Sequence, residues 1–126
     1  MKQVKKKRDN FRFENLQIWQ LSIDISDHLL DLADEVENKR HYRFAEQLRG
    51  SVLSISNNIA EGSGSNSKKD FANFLNFSKR SVFETANILM ILSKRGYIDK
   101  KQLDARLLDL DHISRKITNF CKALHA

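Results

Sequence analysis

Two groups of histidine and carboxylate side chains have spacings that could bind a metal ion. Asp24, His28 and Asp31 fall on one face of a predicted helix, and Asp109 and His112 lie three residues apart on another. The dinuclear metal sites of helical bundles use a Glu-x-x-His pair on each of two helices, with a further glutamate on each of the other two. Neither Glu-x-x-His pair occurs here. We therefore expect these five side chains to be solvated surface groups and predict no metal site.

A nucleophile and a phosphate-binding loop are poorly supported as well. Cys121 follows Phe120 beside a predicted core stripe, and His125 lies one turn further on, near a terminus that is expected to fray. We expect a core or boundary thiol. Gly62-Ser63-Gly64 precedes a helix, but the Gly-Lys-Ser/Thr end of a P-loop and the strand before it are missing, so a flexible hinge is expected. The sequence thus predicts no catalytic residue, no cofactor and no enzyme activity.

Basic residues are the more informative set. Residues 1–12 contain the run Lys5-Lys6-Lys7-Arg8, which is typical either of a disordered, solvated tail or of a flexible arm that contacts nucleic-acid phosphates. Further candidate nucleic-acid-binding residues follow along the chain: Arg40, Arg43, Arg49, Lys68, Lys69, Lys79 and Arg80, with other basic pairs at positions 94–95, 100–101 and 115–116. Few aromatic residues are expected to be free to stack on bases. We therefore predict that the protein binds RNA or DNA by contacting the sugar-phosphate backbone of the nucleic acid, with weak sequence specificity.

Charge is unevenly distributed along the chain. Residues 1–12 hold six basic residues and one acidic residue, residues 13–38 hold seven acidic and no basic residues, and residues 39–126 hold sixteen basic and eight acidic residues, for a net charge of +6. The first helix is therefore acidic and the remaining body basic. Such a chain could present a basic surface away from its first helix, or pair the acidic helix of one subunit with basic helices of another.

The chain carries no sign of a membrane or secretory location. One cysteine permits no intramolecular disulfide, which fits a reducing compartment. No apolar run approaches the roughly 20 residues of a membrane span, and no apolar stretch follows the basic N-terminus as in a signal peptide. We expect a soluble cytoplasmic protein without membrane contact.

Apolar residues recur at helical spacing in four segments. These four predicted helices and the short turns between them carry the candidate side chains described above, apart from those of the arm. We predict helices over residues 15–37, 42–61, 67–94 and 99–124, following an arm at residues 1–12, with residues 13–126 as one bundle domain. Proline is absent, and the connections are short. The fold class is therefore all-α, an antiparallel up-down-up-down four-helix bundle. In the first helix, the expected core stripe comprises Leu16, Trp19, Ile23, Leu30 and Ala33, widened by Ile25, Leu29, Leu32 and Val36.

Helix-end signals support these boundaries. Asn15 is a plausible N-cap of the first helix, and Gly62 and Gly96 suit the left-handed position after the second and third helices. Ser67 and Asp99 each precede an acidic or amide residue at capping-box spacing and should open the third and fourth helices.

The second helix is the centre of the chain because both of its faces are patterned. Phe44, Leu48, Val52, Ile55 and Ile59 form a core stripe. Small and amide side chains on the other side would let a second backbone approach, and the third helix has more apolar surface than one core needs. The predicted oligomer interface comprises Gly50, Ser54, Asn57, Asn58, Glu61 and Phe77.

Several motifs resemble a known family. They are Phe13-x-x-Leu16-x-x-Trp19, Gln47-Leu48-Arg49, Asn58-Ile59-Ala60-Glu61-Gly62, Asp70-Phe71 and Gly96-Tyr97-Ile98. Together they resemble the four-helix bundle proteins encoded in intervening sequences of bacterial large-subunit ribosomal RNA genes. That family is similar to the accessory variability determinant protein of diversity-generating retroelements, a basic pentameric ring that binds a reverse transcriptase and nucleic acid.

The resemblance implies an up-down bundle, a homopentamer and no known catalysis. The chain departs from the family pattern at Ser56, where proline is common, and at Gly50, where a second arginine often follows Arg49. The missing arginine weakens the case for a basic ridge on the second helix.

Two functions follow as expectations. The first is a non-enzymatic, oligomeric module that binds nucleic acid or associates with a ribonucleoprotein. The alternative is an assembly scaffold that binds a protein partner and makes no direct nucleic-acid contact. Strong salt dependence of binding would favour the first function, and salt-tolerant capture of a protein the second.

Overall fold

The computed structural model describes residues 7–125, which form four α-helices and no strand. Helix α1 spans Gln17–Asn38, α2 spans Tyr42–Ser63, α3 spans Lys68–Lys94 and α4 spans Lys100–Leu124. A single 3₁₀ turn, Arg12–Asn15, precedes α1. The all-α class is confirmed, and the predicted helix boundaries are close to the observed ones.

The helices run antiparallel to their neighbours. Arg12 Nη1 donates to the carbonyl of Ser63 (3.2 Å), which brings the start of α1 beside the end of α2. Gln102 Nε2 donates to Glu35 Oε2 (3.0 Å), which brings the start of α4 beside the end of α1. Each helix packs against the one before and the one after it, and α1 also packs against α4. This is the up-down-up-down arrangement, and it places α1 and α3 on opposite sides of the bundle.

The core is one apolar layer contributed by all four helices. Its largest fully buried members are Leu29, Val36, Leu48, Ile55, Ile59, Phe71, Leu75, Leu89, Leu92, Leu110, Ile113 and Ile117. The predicted stripe of α1 is wrong at Ile23, which is 39% exposed; Ile18 is buried in its place. Trp19 is only partly buried and packs against Phe13, with ring centroids 4.9 Å apart. The buried face of α1 is therefore rotated away from Trp19 and Ile23.

Hydroxyl groups lie along the contact between α2 and α3. Three side chains of α3 reach across to α2: Ser78 Oγ donates to the carbonyl of Ile55 (2.7 Å), Ser81 Oγ to Ser54 Oγ (2.8 Å) and Thr85 Oγ1 to Ser51 Oγ (2.9 Å). Their small size lets the two helices approach closely, and the hydrogen bonds satisfy the polar atoms that this approach buries.

Gly62 also belongs to this close contact. The predicted left-handed position after α2 is wrong, since α2 continues through Ser63 and Gly64 at its end has φ −77°. A Cβ atom on Gly62 would lie 2.6 Å from Phe74 Cβ and 2.8 Å from Phe71 Cδ1. Glycine is needed here for space and not for an unusual backbone angle.

The other end signals have mixed outcomes. Asn15 does not cap α1, because the chain makes a 3₁₀ turn first and Leu16 precedes the helix without a side-chain cap. Ser67 is the N-cap of α3 and accepts from the Asp70 N–H, but the reciprocal half of a capping box is absent. Asp99 and Gln102 form both halves, and Gly96 has the expected positive φ of 76°.

Candidate nucleic-acid interface

The basic arm is only partly within the described residues. Lys5 and Lys6 lie outside them, and Lys7 is exposed. Arg8 folds back on Glu14 through two hydrogen bonds of 2.9 and 3.0 Å. Hydrogen bonds from Arg8 and from the Phe11 N–H lower the pKa of Glu14 to about 2, and the same pairing raises the pKa of Arg8. The charge of Arg8 is thus compensated within the chain.

Arg49 is compensated in the same way. Its guanidinium donates to Asp34 Oδ1 (2.6 Å) and to Glu37 Oε1 (3.1 Å), so it ties α2 to the end of α1. The hydrogen bonds with Glu37 and then Asp34 raise its pKa. Arg49 therefore holds two helices together in this structure, and its charge adds little to a basic surface.

The remaining predicted basic residues are uncompensated. Among the described residues none of them forms an ion pair: Arg40, Arg43, Lys68, Lys69, Lys79 and Arg80. All are exposed except Lys79, which is partly buried. Arg80 Cζ lies 5.8 Å from the centroid of the Phe77 ring. The structure does not gather the six into one site. It places two at each end of the bundle and two in the middle of α3.

The diagonal placement of α1 and α3 separates charge across the bundle. Helix α1 carries six carboxylates and no basic residue, whereas α3 carries five basic and two acidic residues. Helix α4 carries six basic and three acidic residues. The α1 side of the molecule is therefore acidic and the α3 side, diagonal to it, is basic.

The predicted oligomer interface is partly used within the chain. Ser54 Oγ accepts from Ser81 and from Asn58 Nδ2 (3.0 Å), so these polar groups already have partners. Gly50, Asn57 and Glu61 are exposed, and a Cβ on Gly50 would meet nothing within 4 Å. Phe77 is 48% exposed. That these positions contact a second copy of the chain stays a prediction.

Four aromatic side chains are exposed by about half or more: Phe11, Tyr42, Phe77 and Phe83. Phe11 stacks on Phe13, and Arg80 lies over the Phe77 ring, so the prediction that few aromatic residues are free to stack on bases is not contradicted. Tyr42 was missed although the core period of α2, set by Phe44 and Leu48, already excludes it from the buried face. Phe83 and Met90 border an apolar groove of about 440 Å³ between α3 and α4, which the sequence could not reveal.

The side chains considered first for metal and nucleophile chemistry do not converge. Within residues 7–125, no three His, Cys, Asp or Glu side chains are grouped so as to hold a metal ion. Cys121 is partly buried and lines a groove of about 470 Å³ with Lys79 and His125. None of the helices described is long and apolar enough to span a bilayer.

Four antiparallel helices with oppositely charged sides define a small up-down helical bundle. The sequence model of the 23S rRNA-intervening sequence protein family matches residues 14–119, which is most of the chain. The chain therefore belongs to the 23S rRNA-intervening sequence protein family, as its motifs suggested.

A solved structure has the same fold. It is a protein with unknown function from the S23 ribosomal protein family of Bacteroides thetaiotaomicron VPI-5482, with a TM-score of 0.79 and 24% sequence identity. The similarity covers 83% of this chain and 98% of that one. Among curated proteins, the comparison finds no match.

Proposed function

We propose that the protein is a non-enzymatic, cytoplasmic module that binds nucleic acid through the basic surface formed by α2, α3 and α4. The observation that carries the proposal is the set of basic side chains that form no ion pair within residues 7–125, which lie at both ends of the bundle and along α3. Elsewhere the chain neutralises its arginines, as at Arg8 and Arg49.

Affinity would come mainly from phosphate contacts. Each phosphate that a lysine or arginine neutralises releases a condensed counterion, so log K should fall linearly with log salt concentration. Such contacts position the nucleic acid but carry little sequence information. We therefore expect similar affinity for unrelated sequences of the same strandedness.

Binding of the full chain to RNA and DNA, titrated from low to physiological salt, tests the proposal. The variant Arg43→Met should bind more weakly and show a salt slope shallower by about 0.7 to 0.9, since one phosphate contact is lost. The double variant Arg115→Gln/Asp111→Asn is the matched control, because it removes a cation together with the carboxylate that it pairs with, and it should leave the slope unchanged. Absence of binding by the wild-type chain at low salt would refute the proposal.

The arm can be tested in the same assay without truncating the chain. Changing Lys5, Lys6 and Lys7 together to glutamine removes three charges while leaving the contact of Arg8 with Glu14 in place. A large loss of affinity would assign the main contacts to the arm. An unchanged affinity would assign them to the bundle.

A second candidate function rests on the apolar surface of α3. Phe77, Phe83, Met90 and Ile91 are between 40% and 63% exposed, which is unusual for a side that faces water only. We propose that a second copy of the chain covers this surface in a homo-oligomer, for which the family resemblance suggests a pentamer. An assembly scaffold without nucleic-acid contact is the alternative function if binding fails.

Mass measurement by light scattering tests the oligomer. Phe83→Ser should lower the mass of an oligomer toward that of the 14.7 kDa chain while the helical content stays constant. Leu108→Ser, which changes an exposed residue of α4, is the control and should leave the mass unchanged. A wild-type chain that is monomeric at high concentration would refute this second proposal.

A further inference from the structure

Two of the connections in the bundle have the same backbone geometry but different residues. After α1, the N–H groups of Arg40 and His41 donate to Glu37 O (2.8 Å) and Val36 O (3.2 Å). After α3, the N–H groups of Gly96 and Tyr97 donate in the same pattern to Ser93 and Leu92. This pair of bonds is the Schellman motif, in which the residue after the C-cap takes a left-handed conformation.

The left-handed position is glycine in one turn and arginine in the other. Gly96 has φ 76° and Arg40 has φ 70°, and Arg40 is the only non-glycine residue among those described with a positive φ. A side chain is disfavoured in this conformation, because its Cβ crowds the following carbonyl. Glycine would therefore adopt this conformation with less strain than arginine, and glycine occupies the same position in the second turn. An exposed arginine at a strained position indicates a role for its side chain outside folding.

The side chains around Arg40 form a basic and aromatic surface at this end of the bundle. We call it the turn-end patch and define it as Arg40, Tyr42, Arg43, Lys94 and Arg95, all of them exposed. Tyr42 is 59% exposed although it is an aromatic residue. None of the four basic members forms an ion pair within residues 7–125.

The two turns that carry the patch are fixed to one another. His41 stacks on Tyr97 with ring centroids 3.6 Å apart and planes 15° apart. Lys39 Nζ donates to the carbonyl of Tyr97 (2.9 Å), and Arg95 Cζ lies 5.8 Å from the Tyr97 ring. These contacts hold together the two chain segments that carry the patch.

Most carboxylates near the patch are already engaged. Asp34 and Glu37 hold Arg49, and Asp99 caps α4. Glu35 accepts from Gln102. Glu46, one turn beyond Tyr42 on α2, is the remaining exposed acid on that part of the helix. The patch therefore keeps its positive charge available to an anionic ligand.

We propose that the turn-end patch binds single-stranded nucleic acid, with Tyr42 stacked on an unpaired base and Arg40, Arg43 and Arg95 on the flanking phosphates. An exposed aromatic side chain among cations is the arrangement that recognises unpaired bases, whereas a duplex keeps its base faces covered. The inference rests on the nucleic-acid-binding function proposed above and specifies the strandedness and the place of that binding.

Competition between a single strand and a duplex tests the inference. The probes are a short labelled oligouridylate, shorter than the ~33 Å length of α1 so that it cannot reach both bundle ends, and an RNA duplex of equal length. Tyr42→Ala should weaken oligouridylate binding on the order of tenfold and leave duplex binding unchanged. Phe11→Ala is the matched control, because Phe11 is 61% exposed at the opposite end of the bundle and should have no effect.

Arg40→Gly supplies a readout that a structural role would not produce. The variant should have a higher Tm than the wild-type chain, because the strain is removed, yet bind the oligouridylate more weakly, with a salt slope shallower by about 0.7. Loss of binding in a more stable protein cannot arise from unfolding. Glu46→Gln should strengthen binding by removing the remaining carboxylate.

The possible failures are distinguishable. If the wild-type chain binds neither probe at low salt, the proposed function itself is wrong. If it binds the oligouridylate but Tyr42→Ala and Arg40→Gly bind equally well, the turn-end patch is wrong and the proposed function stands. If Phe11→Ala weakens binding and Tyr42→Ala does not, the contacts lie at the arm, and the inference is again overturned.

Discussion

Replacing Gly62 by alanine should destabilise the bundle even though it improves helix propensity. The new Cβ would lie 2.6 Å from Phe74 Cβ, whereas ordinary contact begins at 3.4 Å, so α2 and α3 must separate by 0.8 Å. Phe74 Cβ is attached directly to the backbone and cannot rotate away, and Phe71, the other neighbour, is only 1% exposed. Separation would also stretch the hydrogen bonds from Ser78 and Ser81 to α2.

The expected magnitude follows from two opposing terms. Overpacking a well-packed contact costs about 1 to 3 kcal/mol, and the rigid neighbours favour the upper part of that range. Alanine gains about 1 kcal/mol over glycine in a helix interior, and less than that at Gly62, which is the last residue but one of α2. The net loss in the free energy of unfolding should therefore be about 2 kcal/mol. Urea unfolding followed by circular dichroism measures it as a lower midpoint with an unchanged m-value.

Gly50→Ala is the control, since Gly50 lies in the same helix and a Cβ added there would have no neighbouring atom within 4 Å. This change should stabilise the chain by about 0.5 to 1 kcal/mol through helix propensity alone. Opposite signs for the two substitutions are the result expected. A Gly62→Ala protein as stable as the wild type would refute the close-packing argument. A concentration-dependent loss of stability in Gly50→Ala would instead indicate that a second chain approaches Gly50.

Three further substitutions test local interactions. Asp99→Ala removes the N-cap of α4 and should cost about 1 kcal/mol in urea unfolding; no change would contradict a stabilising cap. Thr85→Val removes the buried hydrogen bond to α2 and should lower the free energy of unfolding by about 1 kcal/mol. Thr118→Val removes only a hydrogen bond within α4 and should lower it by less. Equal losses of stability would contradict the importance of burial. Glu14→Gln should be less stable than the wild type at neutral pH. Because the pKa of Glu14 is lowered to about 2 by Arg8, this difference should shrink as pH falls from about 4.5 toward 2 in pH-dependent unfolding, and a constant difference would exclude the ion pair as its cause.

The sequence predicted the bundle because the apolar period is repeated in every helix. Leu48, Val52, Ile55 and Ile59 recur at steps of three and four residues, and all four are buried. The start of α1 was missed because it depends on a local competition. Glu14 accepts from the Phe11 N–H and from Arg8, and these bonds favour a 3₁₀ turn before the helix.

The sequence shows which basic residues the chain contains, but it does not show which of them remain available on the surface of the folded protein. Arg49 and Arg43 look equivalent in the sequence, since both are arginines on α2 away from the core stripe. Only the packing of α1 against α2 brings Asp34 and Glu37 to Arg49, and among residues 7–125 it leaves Arg43 without such a partner. Distinguishing a structural cation from a free one therefore requires the tertiary arrangement of the acidic helix.

Gly62 and Arg40 illustrate opposite reasons for the residue found at a position. Gly62 has an ordinary helical conformation but no space for a side chain, so packing alone accounts for the glycine. Arg40 has the conformation that favours glycine, yet it is exposed and carries a long charged side chain, so packing does not account for the arginine. The two variants should therefore separate folding from binding. Gly62→Ala should lower stability and leave the affinity of the folded protein unchanged, and Arg40→Gly should raise stability and lower affinity. If each of the two variants lowered both stability and affinity, the Arg40 side chain would contribute to folding. Its strained backbone conformation would then not need to be explained by a ligand.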